Sequence, residues 1–253
     1  MTLLGLWKIT WIRRSILVAL FGASALSYPI LFRALGQTYG FMDRWEFGLV
    51  LAALILLHEW FHLRAMDEHG IEGIGPIPIP FLGALVETRE PFPTLWKKFS
   101  VVLRGPLSGM ISIPILLIGV RIQSGWLIGS ALLWLAINAL NLLPIFPLDG
   151  GLAVAAVLGS FSRTLTNLFV VVSLVVSVAI GYLWNPLFYL IPAVTALEMV
   201  ITKMRRKEIV SPEKMSGRQA ILAVVSYLGA GGAIGLSIFI FLNWPLVARA
   251  LGW

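Results

Sequence analysis

Long apolar runs alternate with short polar connections along almost the whole chain. Crossing the hydrocarbon core of a bilayer as an α-helix takes roughly 20 predominantly apolar residues, and seven runs approach that length. They lie near Ser15–Phe32, Glu46–Ala65, Phe99–Val120, Trp126–Leu143, Thr164–Trp184, Pro186–Thr202 and Ala220–Leu242. The pattern predicts an all-α polytopic membrane protein with about seven transmembrane helices, in which residues 1–253 form a single membrane-embedded domain.

The connection Ile71–Val86 is also apolar, but Pro76, Pro78 and Pro80 interrupt it. Proline lacks a backbone N–H, so these residues exclude a helix and confine any strand to a sheet edge. Non-helical backbone is tolerated at membrane depth only where it packs against protein or lines a water-filled cavity. The segment therefore predicts a short re-entrant structure that dips into the membrane domain, and a packed connecting loop is the plainer alternative.

Composition supports a membrane location, because 58% of the residues are hydrophobic and only 12% are charged, far from the averages of soluble domains. The net charge of +7 comes from short basic clusters beside the apolar runs, which is typical of membrane orientation. We therefore expect the lipid bilayer as a partner and no nucleic acid. Cysteine is absent, so any metal has to be held by histidine and carboxylate side chains.

The lysines and arginines are distributed unevenly between alternate connections, and a cytoplasmic N-terminus places most of them inside. Residues 23–25 imitate a signal-peptide cleavage site, but apolar residues continue to Phe32 and predict an uncleaved first span. We expect a multi-pass protein of a prokaryotic cell membrane. The end of the second span and Asp149 then lie toward the cytoplasmic side.

The second apolar run ends in the segment HEWFH, which contains His58, Glu59 and His62. Histidines four residues apart project from one face of a helix and can bind one metal ion together. Zinc lowers the pKa of a bound water, and a neighbouring carboxylate such as Glu59 can accept the proton that this water releases. The segment therefore predicts a hydrolytic metal site in which Glu59 is the catalytic base.

The plainer interpretation of HEWFH is a set of polar residues at the membrane interface. HExxH is a short pattern that also occurs by chance. Ionisable groups within a span cost about 2 to 3 kcal/mol each near its centre, and they usually face a functional cavity. We therefore favour the metal site.

A catalytic zinc ion usually has three protein ligands and one open position. Asp149 is the best third candidate, because it follows the fourth apolar run within NLLPIFPLDGG. Pro144 and Pro147 end the preceding helix there, and Gly150 with Gly151 permits a tight turn. The alternative role of Asp149 is to cap the next helix.

HEWFH in an early span, combined with NLLPIFPLDGG after a later one, resembles the site-2 protease family of intramembrane zinc metalloproteases. The resemblance covers residues 46–151, and residues 15–32 and 164–242 supply flanking helices. It implies that His58, His62 and Asp149 bind one Zn²⁺ and that Glu59 activates the water. It also implies a membrane-anchored protein as the substrate.

The same resemblance suggests residues that bind the substrate. Asn141 matches an asparagine of the family motif that is linked to substrate binding, although a packing amide paired with Asn138 is the alternative. The proline-rich segment resembles the family's re-entrant β-hairpin, whose exposed edge would accept an unwound substrate as an added strand. Its strand-like part, Phe81–Val86, includes Gly83 and Ala84 as candidate substrate contacts.

The chain departs from the family pattern in the third span. Gly109 stands where the family has an asparagine, and Arg104 precedes Gly105 where a small residue is usual. The connections are too short for a PDZ or CBS domain, so we expect a minimal member.

Three rival functions have to be weighed. A metal transporter can also place HExxH on a helix, but the other spans offer few ionisable residues as stepping stones. A zinc protease that trims prenylated proteins would normally use glutamate as its third ligand. A non-catalytic relative is disfavoured by Glu59.

Overall fold

The computed structural model describes residues 3–34, 45–80, 83–183, 189, 192–193 and 212–243, with the side chains of α1 from residue 15 onward except residues 32 and 34. The chain divides into two compact units. The first unit comprises residues 1–67 and 72–89, and the second comprises residues 68–71 and 90–253.

The first unit contains two long helices, α1 (Leu3–Ala34) and α2 (Trp45–Glu68). They approach closely at Gly48, where a Cβ atom would collide with the carbonyl group of Ala25 and lie 2.8 Å from Cδ of Pro29. Only glycine fits this contact, because backbone cannot move aside as a flexible side chain can. Close helix packing through small residues is the usual arrangement in membranes.

A β-hairpin follows α2 and consists of β1 (Gly73–Ile79) and β2 (Gly83–Thr88). The strands are antiparallel, with Gly73 opposite Thr88 and Ile79 opposite Gly83. The register shifts between Ile74 and Ile77. Gly75 lies at this irregularity with φ of +126°, a conformation that strongly favours glycine. The prediction of a short hairpin after the HExxH helix is confirmed for the two strands, although Phe81 and Leu82 lie outside the described residues.

The second unit begins with a helical rod made of α3 (Leu95–Leu107), a 3-10 turn (Ser108–Ile111) and α4 (Ser112–Arg121). Four further helices are α5 (Gly125–Asn141), α6 (Asp149–Phe161), α7 (Arg163–Leu183) and α8 (Gly217–Leu242). Capping side chains stabilise the first turn of several of these helices. The Thr94 hydroxyl accepts from the Lys97 N–H at the start of α3, and Ser216 with Gln219 forms a capping box before α8.

The core of the second unit lies between α3, α5, α6 and α8. Small residues on α6 and α8 allow these helices to approach closely, because alanine adds only a methyl group to the helix surface. The buried apolar residues of this core are Phe99, Val102, Leu103, Leu135, Leu142, Ala153, Ala156, Met215, Ala220, Ala223, Ala230 and Ile234.

Four helical stretches among the described residues are long and apolar enough to cross a membrane: Trp45–Glu68, Leu95–Arg121, Arg163–Leu183 and Gly217–Leu242. They correspond to the second, third, fifth and seventh predicted spans. Large apolar side chains on α7 and α8 are exposed to the surroundings, as expected of surfaces that lipid covers.

The remaining predicted spans have different outcomes. The apolar stretch Ser15–Leu31 is part of the long helix α1. Gly125–Asn141 forms a helix of 17 residues, and α6, which was not predicted as a span, has 13 residues. The predicted span Pro186–Thr202 lies outside the described residues except for residues 189, 192 and 193. The total of seven membrane-spanning helices therefore stays a prediction.

Candidate metal centre

The HEWFH segment forms a continuous part of α2, which places its three polar residues on adjoining turns. His58 and His62 are buried, with 3% and 5% of their surface exposed, and Glu59 is half-buried. One potential ligand atom from each residue lies within 4.8 Å of the other two. The predicted grouping of these three residues is confirmed, and the group could hold a metal ion.

The two imidazole rings face each other through corresponding nitrogen atoms. Nε2 of His58 and Nε2 of His62 are 3.1 Å apart, and the ring planes are inclined by 78°. Two nitrogens bonded to one tetrahedral zinc ion at about 2.0 to 2.1 Å would be about 3.3 Å apart. The observed separation therefore fits a shared metal ion, and it also fits a direct hydrogen bond between the rings.

The hairpin runs close to α2 on both sides of this group in the sequence. A Cβ atom at Gly73 would lie 2.5 Å from Cδ2 of Leu63 and 2.9 Å from Sδ of Met66. At the other end of the hairpin, Gly83 opens β2, and a Cβ atom there would be 3.9 Å from Cγ2 of Ile55. Gly73 therefore contacts α2 after His62, and Gly83 lies near α2 before His58 without a side chain to fill the space between them.

The candidate substrate contacts Gly83 and Ala84 begin β2. Gly83 pairs with Ile79 and Ala84 pairs with Pro78, and both are half-buried. Within the described part of the chain the sheet has two strands, so each strand has one side without a neighbouring strand there. The structure thus places both residues in a strand, while their contact with a substrate stays a prediction.

Asp149 is the first residue of α6, in the second unit, and its side chain is half-buried. Leu148 holds the N-cap position instead. The turn before the helix is closed by the Leu148 N–H, which donates to the Ile145 carbonyl at 2.9 Å. Asp149 as a zinc ligand stays a prediction.

Gly150 and Gly151 are needed for close packing and not for a tight turn. Both lie in the first turn of α6. A Cβ atom at Gly150 would collide with the carbonyl groups of Leu142 and Leu143, and one at Gly151 would collide with the backbone of Ile145 and Phe146. The glycines are needed because the start of α6 packs directly against the backbone of the preceding loop.

Asn141 is the last residue of α5, and its Nδ2 donates to the Ile137 carbonyl at 3.1 Å. One turn earlier Asn138 is fully buried. Its Nδ2 donates to the Trp134 carbonyl at 2.8 Å, and its Oδ1 accepts from the Ser108 hydroxyl at 3.3 Å. Asn138 is thus a packing amide, whereas a substrate role for the half-buried Asn141 stays a prediction.

The two departures from the family pattern have local explanations in the second unit. Gly109 packs against Asn138, whose amide fills the space beside it. Arg104 donates from Nη2 to Oε2 of Glu68 at 2.7 Å, and both side chains are nearly half-exposed. Such an exposed pair contributes little to stability.

His69 lies just beyond α2, and its backbone carbonyl accepts from Nζ of Lys97 at 2.9 Å. The pKa of His69 is lowered from its usual value of 6.5, chiefly by partial burial, and Lys97 and Arg104 add to the effect while Glu68 opposes it. A neutral imidazole is therefore favoured at this position. The group among the described residues that could hold a metal ion consists of the other two histidines and Glu59.

The sequence analysis did not identify Tyr227, which contacts the segment between α5 and α6 that precedes Asp149. The hydroxyl of Tyr227 donates to the Leu142 carbonyl at 2.7 Å, although the two residues are 85 positions apart. A tyrosine within an otherwise apolar and small-residue run is the available signal, because a buried hydroxyl in a membrane needs a partner.

No protein-family model matches the chain, and no curated protein matches it. The resemblance to site-2 proteases therefore rests on the HEWFH and NLLPIFPLDGG segments alone. It is carried forward as a proposal.

Proposed function

We propose that this protein is an intramembrane zinc metalloprotease, similar to site-2 proteases, that hydrolyses peptide bonds in membrane-anchored proteins. The observation that carries the proposal is the pair of buried imidazoles whose Nε2 atoms are 3.1 Å apart. This pair shares a group with the Glu59 carboxylate. It belongs to a helix long enough to cross a membrane. Ionisable side chains within a membrane span cost free energy, so those that occur there usually have a function.

His58 and His62 would bind the zinc ion through Nε2, and Asp149 would supply the third ligand. Zinc, when bound, would act as a Lewis acid and would lower the pKa of a water molecule. Nitrogen and carboxylate ligands suit this ion, and a set of three leaves one position open. Histidine binds a metal as the neutral imidazole, so protons compete with zinc for the two nitrogens.

Glu59 would act as the general base. Its carboxylate takes a proton from the attacking water while the water oxygen bonds to the peptide carbonyl carbon. The same carboxyl group then returns the proton to the departing nitrogen as the C–N bond breaks. The products are a carboxylic acid and an amine, which become a carboxylate and an ammonium group once the acid proton moves to the amine, and Glu59 ends in its starting state.

The hairpin would present the substrate to this group. A transmembrane helix hides its peptide bonds in internal hydrogen bonds, so it has to unwind before water can attack a carbonyl. An extended backbone can add to a free strand edge through main-chain hydrogen bonds. The contact of Gly73 with α2 after HEWFH and the nearness of Gly83 to Ile55 before it support this role for the hairpin.

The test uses purified protein reconstituted in vesicles together with fluorescent single-span peptides as substrates. The wild type should bind one zinc ion and cleave at least one peptide. Glu59→Gln should keep the metal and lose cleavage, and His58→Ala should lose both. Undiminished cleavage by Glu59→Gln would refute the assigned base.

Zinc uptake into the same vesicles, followed with an enclosed zinc-sensitive dye, separates the transporter alternative. Uptake by the wild type without any peptide cleavage would replace the protease proposal by the transporter. Vesicles that show cleavage and no uptake support the protease.

A further inference from the structure

A single hydroxyl connects α8 to the loop that precedes Asp149. Tyr227 is half-buried near the middle of α8, and its hydroxyl donates to the Leu142 carbonyl at 2.7 Å. Within the second unit α8 also packs against α3, α5 and α6. The bond therefore joins the last described helix to the end of α5.

The Leu142 carbonyl lies at a position that needs an external donor. Leu142 is the C-cap residue of α5, and its own N–H donates to the Asn138 carbonyl. The last carbonyl groups of a helix have no partner within that helix. Water is scarce inside a membrane, so a side-chain donor is the available way to satisfy such a group. Tyr227 supplies it.

The same carbonyl faces the first turn of α6. A Cβ atom at Gly150 would collide with the oxygen atoms of Leu142 and Leu143. The backbone that Tyr227 holds is therefore packed directly against the residue after Asp149. A displacement of the Leu142 carbonyl would be transmitted to the start of α6, because close-packed backbone leaves no space to absorb it.

We propose that Tyr227 is a positioning residue for Asp149: its hydroxyl fixes the Leu142 carbonyl, which in turn fixes the first turn of α6 and the direction of the Asp149 carboxylate. This inference rests on the proposed function, in which Asp149 is a zinc ligand. It assigns α8, which carries none of the family motifs, a role in the metal site. Residues that orient metal ligands typically change metal affinity about 10- to 100-fold when they are replaced.

The test variant is Tyr227→Phe, which removes the hydroxyl and keeps the ring. Amide hydrogen exchange of the metal-free protein should rise in the peptide covering residues 142–152. Zinc affinity, measured by competition with a chromophoric chelator, should fall about 10-fold or more. The kcat of peptide cleavage should fall while KM changes little, because the proposed substrate contacts lie in the β-hairpin and not beside Tyr227.

Tyr182→Phe is the matched control, since Tyr182 lies on α7 and is 81% exposed. It should leave loop exchange, zinc affinity and kcat at the wild-type values. A purely structural role for Tyr227 would lower the melting temperature of Tyr227→Phe without changing its zinc affinity. That result, or loop exchange equal to the wild type, would overturn the proposal.

Failure of the proposed function gives a different pattern. A wild type that binds no zinc and cleaves no peptide removes the protease proposal and the role of Tyr227 toward the metal together. A wild type that binds zinc, combined with an unchanged affinity in Tyr227→Phe, removes only the positioning role.

Discussion

Gly109 and Asn138 occupy one shared space between two helical segments of the second unit. A Cβ atom at position 109 would lie 2.7 Å from Cβ and 3.1 Å from Cγ of Asn138. The Asn138 amide is held on both sides, by the Trp134 carbonyl and the Ser108 hydroxyl. The missing side chain at position 109 is therefore matched by a fixed side chain on the opposite helix.

Gly109→Ala should destabilise the protein. The added methyl group overpacks a site in which Asn138 cannot move without breaking two hydrogen bonds, and overpacking typically costs about 1 to 3 kcal/mol. The measurement is thermal unfolding in detergent. Gly129→Ala is the control, because its new methyl group has no atom within 4 Å apart from its chain neighbours and the backbone of its own helix, and alanine favours a helix over glycine by about 1 kcal/mol. Equal melting temperatures for the two variants would contradict the packing argument.

Local patterns in the sequence predicted the helices better than their number in the membrane. Apolar length is a property of consecutive residues, so the runs near Glu46–Ala65 and Ala220–Leu242 correspond to described helices. Whether a shorter apolar helix such as Gly125–Asn141 crosses the bilayer depends on its neighbours and its tilt. Apolar length alone does not decide that.

In the candidate site, too, contacts between residues close in the sequence were predicted, and contacts between distant residues were not. His58, Glu59 and His62 lie on consecutive turns of one helix, so their spacing alone predicted that they meet. The contacts of Asn138 with Gly109 and of Tyr227 with Leu142 join residues far apart in the chain, and no local pattern identifies the partner of either polar residue. Gly150 was expected to permit a turn, whereas it is required by a close approach of backbone.

Gly150→Ala should be among the most damaging single-methyl changes in this chain. The new Cβ atom would meet the backbone carbonyls of Leu142 and Leu143, which cannot rotate away as side chains do. We expect a loss of about 3 kcal/mol or more, the upper end for overpacking. Chemical unfolding of the purified variant measures this loss of unfolding free energy. Gly217→Ala has open space around its methyl group and should unfold like the wild type.

Asp149→Asn should weaken zinc binding without unfolding the protein. The amide has nearly the same size as the carboxylate but lacks its charge, so the metal would lose an anionic ligand. The loss of affinity should exceed the roughly 10- to 100-fold effect of residues that only orient ligands. Chelator competition measures the affinity. Glu213→Gln, a change to another carboxylate of the second unit that is exposed, should keep it. Wild-type affinity in Asp149→Asn would remove Asp149 from the ligand set.

Zinc should stabilise the folded protein through the imidazole pair, because a ligand that binds only the folded state shifts unfolding by mass action. At a free zinc concentration about 100 times the Kd, the gain is about 2.7 kcal/mol, which corresponds to a rise in melting temperature of about 5 to 10 °C for a chain of this size. His62→Ala should abolish the rise, since one of the two Nε2 atoms that lie 3.1 Å apart is lost. His69→Ala should preserve it, because His69 lies outside the group that could hold a metal ion. A zinc-dependent rise that disappears with His69→Ala and persists in His62→Ala would place the metal elsewhere in the chain.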